Sequence, residues 1–442
     1  MKPILFFIYL FLKRTTKIVF GIYFSKTTII NKDLIKQNNA TILISNHPNT
    51  LFDPLNVAAR VDTTVHFLAN AGLLEAPVVG PFLSKFYCIP VERQKDVNGR
   101  GVRNKKNFER CDDFLATGGC LYIAPEGTSI MEQSLRELKT GTARIALRAE
   151  AKNDFQLGLT ILPFGLTYSA PSEFRSEVVV NVGQAIKIAD YQSLFEEDSF
   201  RATRKLTKDL QERLGNLIYN TNNDEEEFFI KNLETIINIE NPAGAKERFF
   251  RTKEYIKLTR DLKNDDLDSY NKLVQNINQY FAIIQSLKIN DKAIATTQMK
   301  QSSLKNILLL ILGFPLFIYG YINNFLAFYT PALLVKNLNF YVGYTSTLKG
   351  LSGIFTLPLF YGLQICLVQY WFENSMLSVL YGLSLLPSGW MAWEYRTFTR
   401  QFFKNVRAIR LWKNGDEKML NLVKLRKNLL ESLTSISSAV KL

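Results

Sequence analysis

The chain has 442 residues, of which 47% are hydrophobic and 21% charged, so it is neither disordered nor short of material for a core. Lys and Arg outnumber Asp and Glu by 54 to 40, and the net charge of +14 favours anionic partners: nucleic acid, phosphorylated metabolites or an acidic membrane surface. The four scattered cysteines lack CxxC spacing and argue against a zinc site or a disulfide framework; the two histidines rule out a multi-histidine metal centre.

Residues 1–27 are predicted to form a membrane-associated helix. An apolar run that ends at Leu12 is followed by Lys13 and Arg14 and then by a second apolar stretch, residues 18–24. The first run is too short to span a bilayer alone, since a span needs about 20 residues. Its aromatic density favours a helix in the membrane interface over an amphipathic helix that covers a soluble core.

The next segment, residues 28–221, alternates β-rich runs with helical patterns. The strands are predicted over residues 40–45, 64–68, 87–91, 120–124, 159–168 and 177–182. The helices are predicted over residues 72–86, 101–117, 140–150 and 199–221. Strands that alternate with helices in this way predict a layered α/β domain.

A polar stretch at residues 222–227 is predicted to be a hinge, and residues 222–300 to form a helical region. Three uncharged apolar runs follow within residues 301–396, and we predict transmembrane helices there; they cover residues 307–335, 350–372 and 375–393. Residues 397–442 are predicted to form a basic amphipathic helix.

Basic residues flank both ends of this apolar block, so the positive-inside rule places both flanks in the cytoplasm. That requires an even number of crossings, whereas three runs are present. Either the proline-containing first run is re-entrant or doubles back, or one run lies in the membrane plane. The expected localisation is a multi-pass membrane protein whose catalytic domain is on the cytoplasmic face.

The segment Ser45–Pro54 carries a histidine and an aspartate six positions apart, His47 and Asp53. On one continuous helix their side chains would point about 240° apart. Pro48 disfavours a helical His47, and Pro54 suits the first turn of a helix that has Asp53 as its N-cap. Asp53 is then able to fold back on the imidazole, fix its tautomer and raise its basicity. The alternative is that His47 is a turn residue and Asp53 only a cap. His66, which has no acidic neighbour in its strand, is predicted to be structural.

Three further segments carry groups suited to an anion. Pro125-Glu126-Gly127-Thr128 forms a turn at a strand end, where Gly127 lets backbone amides approach an anion and Thr128 adds a hydroxyl. Arg93 ends another strand with a planar cation. Lys139 precedes a helix start, where free amides also favour anions.

The chain here resembles the glycerophospholipid acyltransferase family, which comprises the lysophosphatidate and glycerol-3-phosphate acyltransferases, over residues 28–221. Four blocks stand in the family's order: Asn46-His47 with Asp53, Ile89-Pro-Val-Glu-Arg93, Pro125-Glu-Gly-Thr128 and Ile161-Leu-Pro-Phe-Gly165. The resemblance implies an α/β fold, with a mixed-sheet acyltransferase domain that has helices on both faces. A helical region and C-terminal transmembrane helices would follow this domain.

The resemblance also implies roles for individual residues. His47 is expected to be the catalytic base and Asp53 its partner; the residues expected to bind the substrate are Asn49, Arg93, Glu126, Gly127, Thr128 and Lys139. The chain departs from the family at two points. Five residues rather than four separate His47 from Asp53, which resembles the fungal-type glycerol-3-phosphate acyltransferase branch. Ser129 stands where the third block usually has an arginine, and Arg136, Lys139 or Arg144 could replace that cation.

The expected activity is transfer of an acyl group from acyl-CoA or acyl-carrier protein to a hydroxyl of glycerol-3-phosphate in the membrane, with no cofactor and no metal. Lysophosphatidate is the alternative acceptor, and a non-catalytic membrane scaffold is the alternative of another class. A hydrolase is disfavoured because the chain has no Gly-x-Ser-x-Gly motif. A nucleic-acid-binding protein is disfavoured because no known motif accompanies the positive charge.

Overall fold

The computed structural model describes residues 3–36, 39–74, 80–81, 83, 87–93, 103–298, 304–337 and 342–439. The chain forms two compact units. The first contains residues 1–222 and 340–350, and the second contains residues 223–339 and 351–442.

The first unit is built on one mixed sheet. Its strands are β1 (Lys26–Ile30), β2 (Thr41–Ser45), β3 (Val65–Asn70), β4 (Cys88–Val91), β5 (Cys120–Ile123), β6 (Thr160–Tyr168), β7 (Glu177–Val182) and β8 (Ile186–Lys187). The order is β1-β7-β6-β2-β5-β3-β4, with β8 also on β6. Strand β6 is parallel to β2 but antiparallel to β7 and β8, which makes the sheet mixed.

The centre of the sheet is buried on both faces. In β2 all five residues are buried, as expected for a continuous apolar run in a parallel sheet. Ile42 and Ile44 face one core, which includes Leu115 and Leu206 from helices. Leu43 faces the other core. The alternation places helices on both sides of the sheet, which confirms the predicted fold class.

The helices of the first unit are α1 (Pro3–Tyr23), α2 (Phe52–Ala58), α3 (Ala71–Leu74), α4 (Lys105–Ala116), α5 (Gly141–Ala151), α6 (Gln192–Glu197) and α7 (Ser199–Gly215). Most of the predicted helix over residues 72–86 lies outside the described residues. Strands β1 and β8 were not predicted. In β1 only Ile30 is fully buried and two threonines occupy the middle, so its apolar signal is weak.

A proline is tolerated in the centre of this sheet because of where it lies in β6. Pro163 stands between the residues of β6 that pair with β8 and those that pair with β7. The N–H that proline lacks would therefore point to the gap between β7 and β8, where no ladder hydrogen bond is lost. Its carbonyl accepts from the Gly183 N–H at 2.9 Å.

The second unit is helical. It contains α8 (Asp224–Glu240), α9 (Ala245–Asp265), α10 (Leu267–Leu287), α11 (Asp291–Gln298), α12 (Leu304–Asn337), α13 (Thr345–Phe372, from residue 351), α14 (Ser375–Lys413) and α15 (Glu417–Ala439). The boundary between the two units falls at residues 222 and 223, within the predicted hinge at residues 222–227. Residues 224–227 are already helical, because Asn223 caps α8 and its side chain accepts from the Glu226 N–H. The boundary predicted between residues 396 and 397 falls inside α14.

A buried ion-pair cluster joins helices of this unit. The Arg426 Nε atom lies 2.8 Å from Asp291 Oδ1, and both side chains are nearly inaccessible. The Tyr280 hydroxyl donates to the same carboxylate, and Arg426 also pairs with Glu240 at 2.6 Å. Every charge in the cluster has an opposite partner, as a buried ion pair requires. We interpret this cluster as structural.

Two helical segments are long and apolar enough to cross a membrane by length and composition, Leu304–Lys336 and Val342–Phe372. The first is part of a continuous helix that includes Pro315 and Pro331. The possibility that this run doubles back on itself is therefore wrong. In each segment only 6% of the most apolar stretch is buried within the protein.

Candidate active site

The turn that follows β2 is fixed to the neighbouring strand by Asn46. Its side-chain oxygen accepts from the Leu166 N–H at 2.7 Å, and its amide donates to the Leu166 carbonyl at 2.9 Å. Both bonds are buried, so they hold the chain where it leaves the sheet. His47 consequently lies at the carboxyl end of β2, the edge at which α/β sheets bind ligands.

His47 and Asp53 are brought together by this turn. The His47 Nδ1 atom lies 3.0 Å from Asp53 Oδ2; the Asp53 side chain is fully buried and that of His47 is 19% exposed. Helix α2 begins two residues earlier than predicted, at Phe52, so Asp53 lies in its first turn and is not its N-cap. Nε2 of His47 makes no hydrogen bond to any residue that the structure describes. It is the nitrogen that remains to accept a proton.

The Asp53 carboxylate has two further donors. The Asn49 N–H donates to Oδ2 at 2.6 Å, and the Tyr168 hydroxyl donates to Oδ1 at 2.7 Å. Burial raises the pKa of Asp53, while the bonds to His47, Asn49 and Tyr168 oppose that shift and favour the ionised form. Tyr168 is a site residue that the sequence did not suggest. It ends β6, at the same edge of the sheet as His47.

Glu126 faces the turn between His47 and Asp53, which is called the catalytic turn below. Its Oε1 accepts from the His47 N–H at 2.8 Å, and its Oε2 accepts from the Arg136 N–H at 3.4 Å. The side chain is 6% exposed, and burial raises its pKa to about 7. The Glu126 carboxylate was predicted to bind the substrate. In the structure it accepts hydrogen bonds from the backbone N–H groups of His47 and Arg136.

Ser129 links the same two turns, and the sequence did not suggest this role. Its hydroxyl donates to the His47 carbonyl at 2.8 Å and accepts from the Thr50 N–H at 3.0 Å. Asn49, predicted to bind the substrate, is buried, and its side chain donates to the Pro171 carbonyl at 3.0 Å. Ser129 and Asn49 therefore hold the shape of the turn between His47 and Asp53.

Three of the predicted phosphate-binding residues lie together. The Arg93 guanidinium donates to the Gly127 carbonyl at 3.3 Å. Gly127 has a φ of +68°, which favours glycine, and a Cβ added there would lie 3.5 Å from the Lys139 side chain. Lys139 is exposed and Thr128 is half-buried. Arg93 and Lys139 thus lie next to the exposed Gly127 at the carboxyl end of β5. The same turn bonds to His47 through Glu126.

His66 has a different environment. Its ring stacks on Phe114 at 3.8 Å between centroids and lies 4.8 Å from Tyr87. Burial lowers the pKa of His66 to about 4. These contacts agree with the prediction that it is structural.

Glu126 gives a pH-dependent prediction. Between its ordinary value of 4.5 and its folded pKa of about 7, the folded protein retains a proton that the unfolded chain releases. The contribution of Glu126 to the free energy of unfolding therefore falls as the pH rises through this interval, by at most about 3 kcal/mol. E126Q should remove that slope, so its melting temperature should rise relative to wild type between pH 4.5 and 7. E132Q, at a half-exposed carboxylate, is the control. Parallel pH profiles for wild type and E126Q would contradict the assignment.

The first unit is a three-layered α/β domain, with helices on both faces of the sheet and a histidine–aspartate pair at the sheet edge. Residues 26–167 match the family model described as Acyltransferase. This match confirms the resemblance to the acyltransferase family that the four blocks indicate for this part of the chain.

Two curated proteins and one solved structure are similar to parts of this chain. Glycerol-3-phosphate O-acyltransferase 2 of Saccharomyces cerevisiae is 32% identical over 120 residues, 27% of this chain and 16% of that protein. Glycerol-3-phosphate O-acyltransferase 1 of the same yeast is 37% identical over 81 residues, 18% of this chain and 10% of that protein. Among solved structures, the 1-acyl-sn-glycerophosphate acyltransferase of Thermotoga maritima shares 17% identity at a TM-score of 0.36, over 48% of this chain and 83% of that one. The matches span a small part of the curated relatives.

Proposed function

We propose that the chain is a membrane-bound O-acyltransferase that transfers a fatty acyl group from an acyl thioester to a hydroxyl of glycerol-3-phosphate. The observation that carries the proposal is the bond between His47 Nδ1 and the buried Asp53 carboxylate, with Nε2 left without a partner among the described residues. A base held in this way removes a proton from a hydroxyl. Acyl-CoA and acyl-carrier protein are both suitable donors, and neither a metal nor a cofactor is needed.

The reaction follows in one direct transfer. Nε2 of His47 takes the proton of the acceptor hydroxyl while its oxygen attacks the thioester carbonyl carbon. The new C–O bond forms and the C–S bond breaks. The imidazolium then gives its proton to the departing sulfur, which leaves as the free thiol. Asp53 stabilises that imidazolium as it forms. General-base assistance contributes about 10²–10⁴-fold, so positioning of the two substrates must supply the rest.

The cations beside the site support a phosphate-bearing acceptor. Arg93 offers a planar fork that suits phosphate oxygens, and Lys139 and the Gly127 turn lie next to it. Glycerol-3-phosphate is preferred over lysophosphatidate because two relatives are named glycerol-3-phosphate O-acyltransferases and the five-residue spacing resembles the fungal-type branch.

Assays of the purified chain with glycerol-3-phosphate, dihydroxyacetone phosphate and lysophosphatidate should give the highest kcat/KM for glycerol-3-phosphate. Preference for lysophosphatidate would favour the second acylation instead, and no transfer to any acceptor would favour a scaffold.

Arg93→Ala tests the phosphate contact. Loss of a charge-assisted hydrogen bond should raise the KM for the acceptor by about 10–100-fold and leave the KM for the donor unchanged. Arg93→Lys should fall between the two, because an ammonium lacks the planar fork. Arg201→Ala is the control, since Arg201 is 65% exposed in a surface ion pair. An unchanged KM for the acceptor in R93A would remove Arg93 from the phosphate site.

The surface of α1 supports attachment to a membrane. The Val65 N–H donates to the Tyr9 hydroxyl oxygen at 3.0 Å, and Phe20 packs on Phe52, so one face of the helix is held by the first unit. On the other face Phe7 and Phe11 are 68% and 67% exposed. An amphipathic helix with exposed aromatic residues is suited to the headgroup region. Acyl chains also partition into lipid, so an interfacial site meets its donor there.

The multi-pass topology predicted from the sequence meets a constraint in the first unit. Residues 342–350 belong to that unit, and Thr347 lies 2.7 Å from Thr50 in the catalytic turn. Residues 342–350 must therefore share the membrane face of the acyltransferase domain. A single crossing by α12 would carry them to the opposite face. We propose that α12 lies along the membrane plane, with the acyltransferase domain on the cytoplasmic face.

Cysteine labelling in sealed vesicles tests this topology. In a Cys366→Ser background, Tyr344→Cys should react with a membrane-impermeant maleimide in the same vesicles as Phe200→Cys, which reports the acyltransferase domain. Phe7→Cys should be protected in both vesicle orientations because its side chain lies in lipid. Labelling of Tyr344→Cys only where Phe200→Cys is protected would show that α12 crosses the bilayer.

A further inference from the structure

The segment Val342–Gly350, which includes the start of α13, packs on the catalytic turn. The Thr347 hydroxyl lies 2.7 Å from the Thr50 hydroxyl, and both residues are buried. The Thr50 hydroxyl also donates to the Gly343 carbonyl at 3.3 Å, which leaves Thr347 as the donor to Thr50. The residue in the middle of the turn between His47 and Asp53 is therefore held by a segment almost 300 positions away in the chain.

Two further contacts join the same segment to the turn. The Pro171 carbonyl accepts from the Ser346 hydroxyl and also from the Asn49 side chain. A Cβ added at Gly350 would lie 2.5 Å from the Phe52 ring, so only glycine allows this approach. The segment thus contacts Phe52 directly and is linked to Asn49 through the Pro171 carbonyl, in addition to its bonds with Thr50.

Thr50 needs such support because of its backbone. Its φ of +41° lies in the left-handed region, which a β-branched residue rarely adopts. Residues in this region persist when the surrounding structure holds them, and they concentrate at functional sites. Thr50 is held at its N–H by Ser129 and at its hydroxyl by Thr347 and Gly343. If the hydroxyl contact were lost, the turn could relax and separate His47 from Asp53.

We propose that Thr347 is a positioning residue for the His47–Asp53 pair, acting through the hydroxyl of Thr50. The proposal rests on the proposed acyl transfer for its kinetic consequence, whereas its structural consequence can be measured without any activity. Thr347 itself touches neither reacting atom. Its effect is to keep Nδ1 of His47 on the Asp53 carboxylate.

The kinetic test uses the full chain in lipid. Thr347→Val keeps the shape of the side chain and removes the hydroxyl; it should lower kcat by about 10-fold and leave both KM values unchanged, because misplaced catalytic groups slow the chemical step. Thr347→Ser should restore the wild-type kcat. Thr345→Val is the matched control: Thr345 lies in the same helical turn, and its hydroxyl has no partner among the described residues. The double variant Thr50→Val/Thr347→Val should be no slower than Thr50→Val alone, because Thr50→Val already removes the bond to Thr347 together with the bond to Gly343.

Hydrogen–deuterium exchange provides the readout that does not depend on the reaction. Thr347→Val should increase exchange in the peptide that covers residues 47–53, while Thr345→Val should not. If wild type transfers no acyl group but the exchange result holds, the proposed function fails and the positioning contact stands. Unchanged exchange in Thr347→Val would overturn the proposal. So would a loss of kcat in Thr347→Val that Thr347→Ser does not restore, or additive effects in the double variant.

Discussion

Replacing His47 with alanine is expected to lower kcat by about 10²–10⁴-fold, with little change in the KM of either substrate. The imidazole is 19% exposed, and Nδ1 is bonded to a buried carboxylate, so the ring is oriented before any substrate binds. The alanine variant keeps the turn, because the backbone N–H of residue 47 still donates to Glu126 and its carbonyl still accepts from Ser129. The loss should therefore appear in the chemical step and not in binding.

The second histidine provides the control for this experiment. His66→Gln removes the other imidazole of the chain, which stacks on Phe114 away from any acidic partner. It should retain the wild-type kcat per folded enzyme even if its melting temperature falls. Full activity of H47A in acyl transfer would end the base assignment, whatever the behaviour of the His66 variant.

Asp53→Asn is expected to be about as damaging as His47→Ala, with a loss of kcat on the order of 10²–10⁴-fold. The side chain keeps its size, but the charge that stabilises the imidazolium is lost. The amide oxygen takes the Oδ2 position, which accepts from both His47 Nδ1 and the Asn49 N–H, and the amide NH2 faces the Tyr168 hydroxyl. A neutral acceptor makes His47 a weaker base than the carboxylate does, so proton transfer to Nε2 slows.

The measurement for D53N is single-turnover acyl transfer at saturating donor and acceptor, which separates chemistry from product release. Asp33→Asn is the control, since Asp33 is exposed in a short turn of the same unit. A D53N enzyme that transfers the acyl group within a factor of a few of the wild-type rate would show that Asp53 is only a structural residue of the turn.

The close pairing of His47 and Asp53 was predictable because local rules govern it. Pro48 and Pro54 break helical continuity on either side, so sequence neighbours alone predict that the chain turns between them. The strand ends were predictable for the same reason: an apolar run such as β2 stops where polar and proline residues begin. These features depend on neighbours in sequence.

The supporting residues were not predictable because they come from distant strands. Tyr168 is 115 positions from Asp53, and it reaches the carboxylate because β6 lies beside β2 and runs parallel to it. Only the sheet order places the end of β6 at the same edge as His47. Thr347 is 297 positions from Thr50 and lies between two runs that the sequence assigns to the membrane.

The sequence also does not predict whether a side chain in a motif points to the substrate or to the protein interior. Glu126 and Asn49 were predicted to bind the substrate, and both are buried against the backbone of the first unit. A motif fixes the order of residue types, whereas the register of β2 with β5 decides which of them face the turn and which face solvent. Arg93, Gly127 and Lys139 lie together because their strands and turns end at one edge.

The tautomer of His47 tests the central claim most directly, and ¹⁵N NMR of the histidine-labelled chain measures it. Only two histidines are present, so His66 serves as the internal reference. For the neutral ring of His47, the account predicts a proton on Nδ1, toward Asp53, and a free lone pair on Nε2. A ring that carries its proton on Nε2 would contradict the account, because that nitrogen could not then take the proton of an acceptor hydroxyl.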